Sequence, residues 1–166
     1  RGSMLKNAGH SVSKGGEASL LISLNRDFQF NISYGYTHAR FVTYELNSNT
    51  NYNGNFLPYV PRHTLADQGN KTFIINKSSL VDEIKINVLY KGNGEIFWDE
   101  ENIHKQPYYS LFDAKISFIK GFMQIDIWSR NILNTDYKAF YFEALGNKYI
   151  QTGKPGHAGI KLSFKF

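Results

Sequence analysis

The sequence has no cysteine among its 166 residues, which excludes a disulfide framework or a thiolate metal site and leaves the redox compartment open. No apolar run of about 18 to 20 residues exists, so no segment reads as a membrane-crossing helix. No charged-then-apolar leader is read at the start, an absence that would equally follow from sequence lying upstream. Clustered positive charge is lacking too. The net charge of +5 comes from scattered single Lys and Arg residues, with no basic helix, which argues against nucleic acid as a partner. His10, His38, His63, His104 and His157 are dispersed without metal-ligand spacing. Gly92-Asn93-Gly94 and Gly153-Lys154-Pro155-Gly156 read as turns, since neither continues into a phosphate-loop motif. No Ser/His/Asp grouping or carboxylate pair has the spacing of a hydrolase. The expectation is a protein that is not an enzyme, with no cofactor and no metal site.

What is abundant is aromatic: 13 Phe, 11 Tyr and 2 Trp, beside 14 Gly, a mixture that favours strands and turns over helices. Strict alternation recurs along the chain. Phe28, Phe30, Ile32, Tyr34 and Tyr36 oppose Gln29, Asn31, Ser33 and Gly35, and the closing HAGIKLSFKF sets Ile160, Leu162, Phe164 and Phe166 against Lys161, Ser163 and Lys165. Ile84, Ile86 and Val88 repeat the pattern, as do Phe112 to Phe118 and Met123 to Ile127. Seven strands are expected, near 4–25, 28–44, 62–76, 83–94, 107–119, 121–133 and 155–166. The connections alternate in length, short at 25–27, 77–82 and 120–121, and long through 45–61, 95–106 and 134–154. That asymmetry is the one shown by outer-membrane barrels, with short turns on one side and long loops on the other. A self-contained small β-barrel or a soluble β-sheet binding module would also alternate. Against it stand the uncharged polar face, suited to a water-filled lumen, and the tyrosines Tyr34, Tyr36, Tyr90, Tyr108 and Tyr109 near strand ends, where a membrane-interface girdle belongs. Seven strands leave an open edge in lipid, so the sheet is expected to be part of something larger.

Motifs in order along the chain carry a resemblance. They are Asn7-Ala8-Gly9 with Lys14-Gly15-Gly16-Glu17, Tyr34-Gly35-Tyr36-Thr37, and the run from Gly54 through Leu57-Pro58-Tyr59-Val60-Pro61-Arg62-His63 to Thr64. Trp98-Asp99-Glu100-Glu101-Asn102, Gln106-Pro107-Tyr108 and Arg130-Asn131-Ile132-Leu133-Asn134-Thr135-Asp136-Tyr137 follow. Together they resemble the C-terminal barrel part of TonB-dependent outer-membrane receptors. The resemblance implies an all-β fold, an antiparallel transmembrane β-barrel segment of about seven strands from a larger barrel of about 22 strands. Residues 4–166 are then barrel, residues 1–3 a tag remnant or native loop, and the family's N-terminal plug and TonB box are not seen in the sequence. Such a receptor sits in the cell outer membrane and takes up a scarce nutrient by energy coupling. An iron-siderophore type ligand is favoured over cobalamin or an oligosaccharide. The implied partners are outer-membrane lipid, the small-molecule nutrient, the TonB system through the plug, and the barrel-assembly machinery through the C-terminal strand.

Candidate residues follow. Trp98, Asp99, Glu100, Glu101 and His104 form the densest acidic group, in an expected extracellular loop, where carboxylates can hold a hard cation or a basic ligand group. Trp98 and Phe97 could stack on a ligand ring or anchor the loop. Asn131, Asp136 and Tyr137 are expected to shape the barrel at a turn, with Asn131 and Asp136 side chains satisfying backbone donors. Phe164 and Phe166 resemble the assembly signal of a terminal strand. Asp126 and Arg130 share a strand face and are expected to pair with each other or with the plug.

Overall fold

The computed structural model describes residues 9–47, 49–75 and 80–165. The expected strand residues 4–8, 76 and 166, Asn7 and Ala8 of the first motif, residues 77–79 of the expected turn at 77–82, and Phe166 as an assembly residue lie outside the described residues. The strands are β1 (His10–Asn25), β2 (Phe28–Thr43), β3 (Glu45–Asn47), β4 (Thr50–Asn51), β5 (His63–Ile74), β6 (Glu83–Asn93) and β7 (Ile96–Phe97). They continue as β8 (Lys105–Gln106), β9 (Tyr109–Lys120), β10 (Met123–Arg130), β11 (Lys138–Ala144), β12 (Asn147–Thr152) and β13 (His157–Phe164). Seven of them form one antiparallel sheet in the order β1-β2-β5-β6-β9-β10-β13. These are the seven expected strands. Each is hydrogen-bonded to its neighbour in sequence along the main sheet, the simplest meander, so every cross-strand contact follows from one tight turn or one long loop.

Pairing register sorts the side chains into two faces. Phe28, Lys71, Ile86, Ile116, Ile127 and Ile160 stand side by side on one rung, and Phe73, Ile84, Phe118, Ile125 and Leu162 on the next. On the opposite face Gln29, Asn70, Asn87, Lys115 and Trp128 are neighbours, and Ser117, Asp126 and Lys161 make a polar rung. Neighbouring polar groups satisfy each other there: Asn87 donates to Asn70, Gln124 donates to Asp126 at 2.7 Å, and the Ser19 and Ser33 hydroxyls meet at 3.0 Å. The expected Asp126–Arg130 pair does not form. Asp126 is buried against Gln124, while Arg130 lies over its own strand neighbour Trp128, 5.7 Å from the ring centre.

Among the described residues nothing packs on the apolar face. Ile160 is 73% exposed, Leu162 53% and Ile127 47%, and the buried apolar side chains among the described residues, Ala39, Phe41, Trp98 and Tyr141, all lie toward the long loops. A soluble sandwich buries its apolar face against a second sheet, so the soluble alternative fails and lipid is the remaining solvent for this face. Aromatic residues rim it at both ends. Tyr34 and Tyr36 meet His63 at the long-loop end, and the Tyr90 and Tyr108 hydroxyls meet at 2.5 Å. Phe122 and Phe164 pack at 6.2 Å at the other end. Tyr109 departs from the expected girdle. It pairs with Asn93 on the polar face and stacks on Tyr137 at 4.4 Å, because strict alternation sends neighbours Tyr108 and Tyr109 to opposite sides.

Turn chemistry fixes the short-turn end. Gly121 takes φ 51° as the first residue of the two-residue turn between β9 and β10, where a side chain would be strained. Asp82 ties two of these turns together, accepting from Lys120 Nζ at 2.6 Å and from Gly121 N–H at 2.9 Å, and these donors hold its carboxyl below the usual range. At the other end the three expected loops contain hairpins: β3/β4, β7/β8 and β11/β12. The last is closed by Leu145 and Gly146, both with positive φ (53° and 77°), the signature of a turn that continues strand twist.

Because Ile127 sits between Ile116 and Ile160 on the apolar face, Ile127→Arg in the full-length protein should destabilise it by about 2–4 kcal/mol in lipid vesicles. Ser33→Lys on the polar face should stay within about 0.5 kcal/mol. Urea unfolding in vesicles measures both, and equal costs would contradict the assignment of faces.

Candidate loop-side cavity

Between the hairpins at the long-loop end lies a cavity of ≈ 290 Å³ lined by Trp98, Asp99, Glu100, Glu101 and His104. All five residues singled out in the sequence therefore meet at one place. Tyr59, Tyr141, Phe142 and Glu143, from two other loops, complete the lining; Tyr59 was read only as part of the motif around Pro58 and Pro61, and Tyr141, Phe142 and Glu143 carried no sequence signal of their own.

Asp99 organises its own loop. Its carboxylate accepts from the backbone N–H of Ile103 (2.8 Å) and His104 (2.9 Å) and meets His104 Nδ1 at 2.5 Å. Local side-chain bonds of this kind are how Asp closes a turn. Asn102, with φ 59°, locks this loop to the preceding one. Its side chain accepts from Phe56 N–H at 2.7 Å and donates to Phe56 C=O at 2.9 Å. Glu101 accepts from the Tyr52 hydroxyl at 3.1 Å, and burial together with that carboxylate raises the Tyr52 phenol pKa.

Tyr59 is the crossing point. It lies between Pro58 and Pro61 with φ 63°, a conformation that costs a non-glycine residue about 1–3 kcal/mol and persists where surroundings enforce it. Its N–H donates to Phe97 C=O (2.8 Å) and its hydroxyl to Tyr141 C=O (3.1 Å), while its ring packs on Phe140 (5.4 Å) and Trp98 (5.6 Å). Trp98 is 6% exposed, so its ring is a wall of the loop layer, and its indole N–H has no acceptor.

Across the cavity Tyr141 is buried and donates to Glu143, and His104 stacks on Tyr141 with ring centres 4.9 Å apart. Burial first, then Glu143, pushes the Tyr141 phenol up to about 12. The same hydrogen bond, with Lys148 and His104 close by at 3.6 and 3.5 Å, lowers the Glu143 carboxyl. Four carboxylates, Asp99, Glu100, Glu101 and Glu143, thus face a cavity walled by aromatic rings. This can seat a basic group beside an apolar ring. Among the described residues no three His, Asp or Glu side chains converge as a metal site.

The barrel-shaping candidates lie below. Asn131, buried with φ 47°, donates to Thr135 C=O and Lys154 C=O and accepts from Thr135 N–H, all within 3.0 Å, which ties the turn after β10 to the segment before β13. Asn134 accepts from Gly156 N–H (2.8 Å). Asp136 stays exposed, and Tyr137 stacks on Tyr109 across Gly153, where a Cβ would strike the Tyr137 ring. β10 therefore ends at Arg130, three residues before the expected boundary, because Asn131 leaves the extended conformation.

Residues 2–134 match the family described as TonB dependent receptor-like, beta-barrel. The chain belongs to that family. No curated protein matches the sequence. Among solved structures the fold is similar to the ferric yersiniabactin uptake receptor FyuA from Yersinia pestis, with TM-score 0.83 and 18% identity over 96% of this chain and 24% of that one. It is also similar to the siderophore receptor PiuA from Acinetobacter baumannii, with TM-score 0.74 and 16% identity over 94% of this chain and 22% of that one. The chain spans about a quarter of the length of these receptors. At such identities the likeness carries the fold alone, a seven-stranded segment of a larger barrel, and membership of the TonB-dependent receptor family places the chain in the outer membrane.

Glu143→Gln should lower the Tyr141 ionisation midpoint from about 12, because the charged acceptor that favours the protonated phenol is removed. Phenolate absorbance followed from pH 9 to 13, with Tyr141→Phe as reference, reads the change. Identical titration curves for Glu143→Gln and the parent would refute the pairing.

Proposed function

We propose that the chain is part of an outer-membrane TonB-dependent transporter for energy-coupled uptake of a scarce nutrient, an iron-siderophore type ligand. One observation carries this reading beyond family membership: three separate loops on one side of the membrane sheet converge on a single acidic and aromatic cavity. Loops on a rigid barrel are where ligand recognition is expected. The two receptors of similar fold are described as taking up ferric yersiniabactin and as a siderophore receptor, which supports the iron-chelate class.

In this reading the exposed Glu100 and Glu101 are the ligand-facing members of the group, with Trp98, Asp99 and His104 holding the cavity wall. Energy reaches the barrel from the TonB system through a plug domain. Asn131, Asp136 and Tyr137 maintain the turn after β10, and Phe164 with the C-terminal Phe166 addresses the chain to the barrel-assembly machinery.

The test uses the full-length receptor in cells that depend on it under iron limitation. Uptake of labelled ferric chelate should require TonB, and Glu100→Gln with Glu101→Gln should raise the half-saturating concentration about tenfold at equal surface level, the scale of one lost charge-assisted contact. Uptake without TonB, or TonB-dependent uptake of cobalamin or oligosaccharide in place of iron chelate, would overturn it. Deleting Phe166 should lower surface level several-fold while uptake per surface copy stays the same. Undiminished surface level on cell-surface labelling would remove the assembly role.

A further inference from the structure

His104 has partners on both of its ring nitrogens, and the two sides belong to different loops. Nδ1 meets Asp99 Oδ2 at 2.5 Å within the β7/β8 hairpin. A carboxylate can only accept, so Nδ1 carries the proton and Nε2 of the neutral ring is left as an acceptor. Across the cavity the β11/β12 hairpin offers Nε2 one donor and one acceptor, Lys148 Nζ at 3.3 Å and Glu143 Oε1 at 3.5 Å. Those two residues are register partners, with Nζ 3.6 Å from Oε1, so Lys148 keeps an anion beside it whichever of the two His104 takes.

The two arrangements differ by one proton. Neutral, Nε2 accepts from the Lys148 ammonium. Protonated, the ring donates on both sides and repels that ammonium, and Glu143 is the acceptor within reach. Stacking on Tyr141, with ring centres 4.9 Å apart, keeps the imidazole between the hairpins. The Tyr141 hydrogen bond and the nearby Lys148 lower the Glu143 carboxyl, so it is ionised wherever imidazole titrates. Tyr141, pushed up to about 12 by burial first and then by Glu143, stays a neutral donor over the same range. The other groups that share the cavity with His104 are Glu100 and Glu101 of its own loop and Tyr59 of the loop before β5. None of them carries positive charge. Lys105, the next residue, is taken by Glu95 at 2.7 Å, so Lys148 is the cation that opposes protonation of the ring.

We propose that His104 is a proton-operated clasp between the β7/β8 and β11/β12 hairpins. On taking up a proton it exchanges Lys148 for Glu143, and one imidazolium then spans carboxylates from two separate loops and draws this side of the cavity together. An imidazole changes charge between about pH 5 and 8. The clasp is present in acid and lost as pH rises, the sense required of a histidine whose charged form gains anionic partners. Protonation also offsets one of the four carboxylates around the cavity, Asp99, Glu100, Glu101 and Glu143. Resting on the reading of this cavity as the ligand site, a basic ligand group and the proton then compete, each weakening the other by the same factor.

The clasp is tested without ligand, by hydrogen exchange of the β11/β12 amides in the full-length protein in lipid nanodiscs, corrected for the intrinsic pH dependence of exchange. Exchange should slow about threefold from pH 8 to pH 5, the scale of one partly exposed ion pair. His104→Gln and Glu143→Gln should each abolish that dependence, and Lys148→Met should move the transition to higher pH because the competing ammonium is gone. His10→Gln, at the start of β1, should leave it in place. Exchange independent of pH in the parent, a transition that survives in His104→Gln, or one unmoved in the exposed Lys148→Met variant would each overturn the proposal. The consequence for the cavity is read separately, with a ferric trihydroxamate carrying a free amine as probe. Its half-saturating concentration should rise several-fold on acidification in the parent and stay level in His104→Gln, and equal pH profiles would overturn the regulation. A working clasp in a protein that takes up no ferric chelate at any pH would count against the transport reading and leave the clasp standing.

Discussion

In hydrocarbon no water is present to take up an unpaired N–H or C=O, and every backbone polar group must find its partner within the sheet. That constraint shapes the whole chain. It requires long strands in continuous register, as in β1 and β2, which pair without a shift from Ser11 to Ser23 against Gln29 to Phe41. It requires short turns at one end, supplied by Gly121 and by the Asp82 clasp on Lys120. It also makes β1 and β13, each paired on one side among the described residues, dependent on the rest of a larger barrel. The apolar face then contributes through lipid contact what a soluble domain would gain from a core.

The loops answer to a different physics. Above the rim of Tyr34, Tyr36, Tyr90 and Tyr108 water returns, and ordinary burial resumes: Phe41, Trp98 and Tyr141 are the buried apolar side chains of that layer, together with Ala39. Tyr59 is held at a strained positive φ because four contacts to the two other loops outweigh the local cost. Asn102 and Asn131 do comparable work at two depths, each in a positive-φ conformation: Asn102 holds Phe56 with both ends of its amide, and Asn131 closes its own turn on Thr135 while its NH2 reaches Lys154. The acidic cavity and the pair of arginines over Phe56 are both products of this layer.

Strands were legible because period two is a local property. Phe28 through Tyr36 declare their two faces without reference to any partner, and the seven strands fell where alternation put them. The hairpins within the loops were not read, although Leu145-Gly146 is a turn signal flanked by alternating aromatics, because a segment outside the membrane owes no apolar face to lipid. The acidic group from Trp98 to His104 was visible as a local run of charge. Tyr59, Tyr141 and Glu143, which complete its cavity, lie up to 84 residues from one another and share no local pattern. The Asp126–Arg130 pairing expected from spacing gave way to nearer neighbours on the same face of β10, Gln124 for Asp126 and Trp128 for Arg130, since residues two apart on a strand face lie closer than residues four apart.

The sequence by itself determined which face of each strand meets lipid, how many strands cross, and where the chain reverses, because alternation and turn residues act over a few residues at a time. The tertiary structure alone decided which loops meet. Asn102 reaching Phe56, Tyr59 reaching Tyr141, and Arg40 and Arg62 sharing one ring are contacts across long loops. They exist because the register of a rigid sheet carries the loop ends to fixed places, and only there do distant side chains come within bonding distance.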